Sequence, residues 1–177
     1  EFRRVLFRST TAVTVNGVNF TNFLMSAAGT ACTWSASTTD SWITGVSPVA
    51  GTGTAGVVFS VLPNTNGSRS GSILAAGIVH TVNQAGCGFA LSTNATAVSV
   101  DGVNFTNFLV NATGTACTWS ASVDVPWITG LYPPTGTGSV GVVFSVLPNA
   151  DGPRTGAVTA AGITHTVIQA GCALSLD

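Results

Sequence analysis

Charge is nearly missing from this chain. Its 177 residues include 5 Lys and Arg together and 6 Asp and Glu. All five cations are Arg, and three of them (Arg3, Arg4, Arg8) fall with the single Glu (Glu1) in the opening stretch EFRRVLFRS. Residues 1–9 read as the translated read-through of a sequencing-library adapter and are set aside, since such segments carry no information about fold. What remains has 2 Arg against 5 Asp, a net charge of −3. Without a basic patch nothing neutralises phosphates, which excludes nucleic acid as a partner. Glu, Lys, Gln and Met, residues that favour helices, are also scarce, whereas Gly, Thr, Ser, Ala, Val and Asn abound. That composition is all-β. No apolar run reaches the roughly 18 residues of a membrane span, because Gly, Thr, Ser or Asn interrupts each one. Membrane insertion by this stretch is not expected.

The same scarcity bears on chemistry. Acid–base catalysis needs two positioned titratable groups, as in the paired carboxylates of a glycosidase, and residues 10–177 offer no Glu and five scattered Asp. Asp101 and Asp151 each precede Gly in a turn, the ordinary use of Asp, and Asp40 and Asp124 lie in loops. GSRSG at 67–71 has Arg where a nucleophile elbow needs Ser. His80 and His165 each stand alone on a strand and read as structural residues, and Cys and His lack the spacing of zinc ligands. The expectation is a chain that is not an enzyme, with no cofactor and no metal.

What is present is a repeat. Displacing the sequence by 85 positions aligns 12–87 with 97–172 without a gap, and 52 of the 76 pairs are identical. The differences cluster: TTDS against VDVP at 38–41 and 123–126, VSPVA against LYPPT at 46–50 and 131–135, TNGS against ADGP at 65–68 and 150–153. These are loop-like segments. Between them apolar residues alternate with period two, as half-buried strands require: Cys87, Phe89 and Leu91; Cys117, Trp119 and Ala121; Val142, Phe144 and Val146; Ile163, His165 and Val167. With turn residues between the runs, the pattern predicts tandem Ig-like β-sandwich modules of about seven strands each.

GTGTAG at 51–56 and GTGSVG at 136–141 both match G-x-G-x-x-G. A dinucleotide site needs a strand before the glycines and a helix beginning at them. Here VVFSVLP follows Gly56, β-branched, aromatic and ended by Pro, so the glycines are expected to approach a strand, with no helix.

Aromatic residues and cysteines leave more open. Trp34 and Trp119 lie two residues after a Cys, share its strand face, and are expected in the core. Trp42 and Trp127 stand at the edge of a variable loop, where burial and exposure fit equally. Tyr132, between Leu131 and two Pro, is the best candidate for an exposed aromatic that could stack on a sugar ring. Arg69 and Arg154 follow a turn and are expected to bond its carbonyls. For the four cysteines spacing permits two patterns: Cys32 with Cys87 and Cys117 with Cys172, or Cys87 with Cys117 and the other two alone.

The ordered set CGFALS at 87–92, CTWSAS at 117–122, PWIT at 126–129, GTG at 136–138, VVFSV at 142–146, then Asn149, Arg154, Gly156 and AGITHTVIQAG at 161–171 resembles the BACON family. These are β-sandwich modules of secreted and surface proteins of bacteria, named for a suspected carbohydrate association. The resemblance implies one truncated module at 10–86, a complete one at 87–171, and the start of a third at 172–177. It also implies that Cys87 opens the second module and pairs with Cys117. It departs from the family at His80 and His165, where an aromatic is common. The function it implies is a non-catalytic, secreted or cell-surface repeat unit that binds glycans, with Tyr132, Trp127 and Trp42 as candidate contacts and further modules of the same polypeptide as neighbours. The alternative is a structural spacer with no ligand.

Overall fold

The computed structural model describes residues 9–173. Most of the opening EFRRVLFRS stretch and the segment 174–177 therefore lie outside the described residues. The chain divides into two compact units, Glu1–Cys87 and Gly88–Asp177, and every regular element described is a β-strand.

In the first unit these are β1 (Ser9–Val13), β2 (Val18–Met25), β3 (Thr33–Ser37), β4 (Ile43–Ser47), β5 (Ala50–Thr52), β6 (Ala55–Val61), β7 (Arg69–Ala75) and β8 (Ile78–Gln84). They form a five-stranded sheet ordered β1-β8-β7-β3-β5 and a three-stranded sheet β2-β6-β4. The second unit has β9 (Phe89–Leu91), β10 (Ala95–Val98), β11 (Val103–Ala112), β12 (Thr118–Val123), β13 (Ile128–Tyr132), β14 (Thr135–Thr137), β15 (Val140–Val146), β16 (Arg154–Ala160) and β17 (Ile163–Gln169). Its sheets run β10-β17-β16-β12-β14 and β13-β15-β11-β9. The described strands thus number eight and nine rather than about seven. Part of the difference is the GTG stretches, expected only to approach a strand. Their first residues form the short strands β5 and β14, which pair with β3 and β12.

Alternation places the cores. In β15, VGVVFSV buries Val142, Phe144 and Val146 and leaves the residues between them more open. These three pack with Phe108 and Val110 of their own sheet and with Trp119, Val158, Ala160 and Val167 of the other. A core drawn from the inner faces of two sheets is that of a sandwich. The first unit repeats it with Val57, Phe59 and Val61 against Trp34, Ile73, Ala75 and Val82. Trp34 and Trp119 are buried as expected. Each indole Nε1–H donates to a carbonyl, of Gly53 and Gly138 respectively, at 2.9 Å. A tight hairpin joins β7 to β8. AAG becomes a two-residue turn with positive φ at Ala76 (50°) and Gly77 (76°), the twist that joins antiparallel strands.

His80 explains itself in the core. Its ring stacks on Phe23 at 4.2 Å and meets Phe59 edge-on at 5.7 Å, so imidazole fills the slot of an aromatic. Its nitrogens are satisfied by the Thr11 hydroxyl at 3.0 Å and the Ser9 hydroxyl at 2.8 Å. Ser9, set aside with the adapter on sequence grounds, thus opens β1 opposite His80. Strand pairing uses the backbone and accepts any residue that leaves its N–H and C=O free.

Burial holds the His80 pKa below its ordinary 6.5. The folded first unit then binds fewer protons than its unfolded chain, so its stability is greatest at neutral pH and declines as pH falls through about 6.5 toward the folded pKa. Melting curves between about pH 7.5 and pH 5 should show this slope, and His80→Gln, which cannot take the proton, should flatten it. An unchanged slope in the variant would remove His80 as the cause.

Candidate functional site

The feature that stands apart is the outer face of the four-stranded sheet in the second unit. One of its inner strands is β11, VNFTNFLVNA, which carries two Phe. Phe105 and Phe108 are three positions apart and cannot share a face of a regular strand. Phe108 belongs to the core at 2% exposure, and Phe105 is 76% exposed. Between them the pairing with β15 shifts register from Val103 to Thr106, and the Ser145 hydroxyl donates to the Asn104 carbonyl. This is a bulge, which lets Val103 and Phe108, five positions apart, both turn toward the core. Past it, alternation turns Asn107, Leu109 and Asn111 outward and Phe108 and Val110 inward.

Tyr132 joins the same face. It lies opposite Val143, which lies opposite Asn107, so the three form one cross-strand row spanning about 10 Å from Tyr132 to Asn107. Tyr132 is 68% exposed. Two exposed aromatic rings, the amides of Asn107 and Asn111, and the aliphatic Leu109 and Val143 make a flat, uncharged platform. The first unit keeps Phe20, Asn22, Leu24 and Val58 on its corresponding positions but has Ser47 in place of Tyr132 and Ser26 in place of Asn111. Sequence reasoning singled out Tyr132 and missed Phe105. The three-residue spacing of the two Phe was the available signal.

The other aromatic candidates do not join this row. Trp127 is half-buried against the core of its unit. Its ring lies where a side chain on Gly156 would clash, at 2.8 Å from Cβ, and the Arg154 guanidinium sits over it at 4.5 Å. Trp127 stands at the far end of β13 from Tyr132, about 16 Å away at strand rise. Trp42 has the same relation to Gly71 and Arg69 in the first unit. The two Arg act as expected: Arg154 donates to the carbonyls of Leu147 and Pro148 and to Gln169 Oε1 at 2.8 Å, and Arg69 repeats this with Leu62, Pro63 and Gln84. A cation held over a ring and bonded to three oxygens braces the loop.

Two of the Asp and both His are likewise taken up by the scaffold. Asp40 accepts the Ser72 N–H at 2.8 Å and Asp124 the Ala157 N–H at 2.7 Å. These two Asp differ by one position in the repeat, yet they hold amides at equivalent places, which the sequence did not reveal. His165 is buried on Phe108, with Thr96 and the Thr93 carbonyl on its nitrogens. Among the described residues no three His, Cys, Asp or Glu come together in a way that would hold a metal. Cys87 and Cys117 are joined by a disulfide, and Cys32 and Cys172 are free. This is the pairing the family resemblance implied. The glycine motifs lead into β6 and β15 and into no helix.

Residues 33–85 match the family model described as "BACON: Putative binding domain, N-terminal", so the resemblance holds over the larger part of the first unit. No curated protein matches the chain. Among solved structures it is similar to a Bacteroides ovatus GH5 xyloglucanase in complex with a XXXG heptasaccharide, at 20% identity and a TM-score of 0.41 over 51% of this chain and 20% of that one. An endo-fucoidan hydrolase of glycoside hydrolase family 107 matches at 11% identity and a TM-score of 0.34 over 95% and 28%. Yersinia pseudotuberculosis InvD matches at 14% identity and a TM-score of 0.32 over 93% and 56%. The chain thus spans from a fifth to just over half the length of these structures.

Proposed function

We propose that this chain, whose residues 33–85 match the BACON family, is made of tandem Ig-like modules that bind glycans without catalysis, and that the platform of Tyr132, Phe105, Asn107 and Asn111 is the contact surface of the second unit. One observation carries the reading: two aromatic rings exposed at 68% and 76% share an uncharged sheet face with two amides. A sugar ring has an apolar face of C–H groups and a rim of hydroxyls. The first suits an aromatic ring and the second suits an amide, which both donates and accepts. A flat, open face fits an extended chain of sugars better than a small molecule, which a concave site would enclose. Asp40 and Asp124 already hold backbone amides and the two His stand in ring stacks, which supports a non-catalytic role. The Cys87–Cys117 bond supports a secreted or cell-surface setting, where disulfides persist. No helix of the described residues is long and apolar enough to cross a membrane.

A polysaccharide array followed by calorimetry tests this. Tyr132→Ala and Phe105→Ala should each weaken binding about tenfold, the loss of roughly 1.4 kcal/mol expected of an aromatic anchor. Both sites are exposed, so folding should be unaffected. Absence of binding to any glycan would favour the spacer, a reading to which the burial of Trp34 and Trp119 lends some weight.

A further inference from the structure

The loop between β6 and β7 and its copy between β15 and β16 differ in sequence, TNGS against ADGP, yet they are bonded alike. The Asn66 amide donates to Asn64 Oδ1 at 3.1 Å and the Asp151 amide to Asn149 Oδ1 at 3.2 Å. Asn64 Nδ2 donates to the carbonyls of Gly67 and Ala85 at 2.7 and 3.0 Å, and Asn149 Nδ2 to those of Gly152 and Ala170 at 2.8 and 2.9 Å. One loop geometry thus accepts either an amide or a carboxylate at the same place, as turns that use Asn or Asp do.

Asn66 and Gly67 are both exposed. Among the described residues no hydrogen bond holds the Asn66 side chain and no acceptor takes the Gly67 N–H. Glycine also leaves that nitrogen unshielded, since it has no Cβ, and the space where one would stand is open to 4 Å. The side-chain carbonyl carbon of an asparagine so placed is within reach of the nitrogen that follows it. Asn–Gly occurs a second time at 16–17, where the other copy has Asp101–Gly102. There the Gly17 N–H donates to the Thr14 carbonyl at 3.0 Å, and the Gly17 backbone lies against the Val61 carbonyl. The nitrogen at 17 is engaged and covered, whereas the nitrogen at 67 is neither.

We propose that Asn66 is a site of self-modification, at which the first unit deamidates to the form its copy already has. The Gly67 nitrogen attacks Asn66 Cγ and closes a cyclic imide. The bond from Cγ to the side-chain nitrogen breaks, and that nitrogen leaves as ammonia with the proton that Gly67 gives up. Water then opens the imide, at Cγ to give aspartate or at the backbone carbonyl to give isoaspartate. One water is consumed, one ammonia is released, and nothing is oxidised or reduced. The fold discriminates between the products. Aspartate leaves the backbone as it was, and Asp151 stands in the same bonds. Isoaspartate adds a carbon to the chain where the Gly86 backbone packs so closely on Gly67 and Ser68 that not even a Cβ on Gly86 would fit. It also takes out of the backbone the Asn66 carbonyl that accepts the Cys87 amide at 2.8 Å. Aspartate is therefore the product the folded chain keeps, and two loops that differ in charge at synthesis become alike with age.

The full chain kept in warm, mildly alkaline buffer and mapped by peptide mass spectrometry should gain one mass unit at Asn66 well before Asn16, with ammonia released in step. Gly67→Ala fills only open space, so it should melt with the parent protein yet slow the reaction about tenfold, the factor that 1.4 kcal/mol of crowding at the nitrogen gives. Asn66→Asp should focus at the isoelectric point of the aged protein and keep the parent's melting temperature. Isoaspartate should make up a smaller share of the product in the folded chain than in the same chain unfolded in urea. The proposal is overturned if Asn66 stays intact while the unfolded chain reacts, if Asn16 reacts as fast, if Gly67→Ala leaves the rate unchanged, or if folding leaves the isoaspartate share unchanged.

Discussion

Breaking the Cys87–Cys117 bond should destabilise the second unit by about 3.5 kcal/mol in the chain-entropy model, which assigns that cost to a loop of roughly 30 residues released in the unfolded chain. The first unit should be unmoved, since its Cys32 is free. For a unit of this size such a loss is a large part of the whole stability. The effect should also reach the platform. Ala90 lies opposite Asn111, so β9, released at its start, no longer holds the edge on which that amide sits. Hydrogen exchange followed by peptide, with and without reductant and in Cys117→Ala, separates the two units. Protection should fall in β9, β11 and β12 while β2 and β3 keep theirs. An equal loss in both units would mean that the bond acts on something other than the second unit's own loop.

Much of this was legible in the sequence because it rests on local chemistry. Alternation gave the strands, and the turn residues between the runs gave their ends. The resemblance in CGFALS and CTWSAS gave the disulfide partner that spacing alone left undecided. The Arg69 and Arg154 contacts followed from a cation placed just past a turn of unpaired carbonyls. What escaped depends on register between distant strands. Phe105 faces outward because Phe108, three positions on, faces the core, and nothing within β11 alone says which of its two Phe is buried. The place of Trp127 was undecidable for a similar reason. Its ring is covered because Gly156, 29 positions later, leaves room for it and Arg154 reaches over it. A loop-edge Trp in the sequence is a packed Trp in the fold only when that Gly is across from it. Tyr132 could be recognised as exposed, but its row with Val143 and Asn107 is a fact of three strands meeting.

The glycines of GTGSVG give the sharpest test of what that motif is for, because its three glycines have unlike surroundings. A Cβ on Gly136 would sit 2.3 Å from the Trp119 ring, so the indole lies directly on that backbone. Gly138 has φ of +68° and supplies the carbonyl that accepts the indole N–H at 2.9 Å. Gly141 has nothing within 4 Å. Gly136→Ala should therefore destabilise the second unit by about 3 kcal/mol, combining the overpacking of a rigid ring with the loss of a buried hydrogen bond once the indole is displaced. Gly141→Ala should be neutral or stabilising by up to about 1 kcal/mol, because it only narrows the unfolded ensemble of a residue already extended in β15. A dinucleotide loop would reverse the ranking of interest: its glycines would matter for phosphate and hardly for a tryptophan. Urea unfolding followed by Trp fluorescence distinguishes the two. If Gly136→Ala and Gly141→Ala cost the same, the motif is not a seat for Trp119, and its recurrence at 51–56 beneath Trp34 would need another cause.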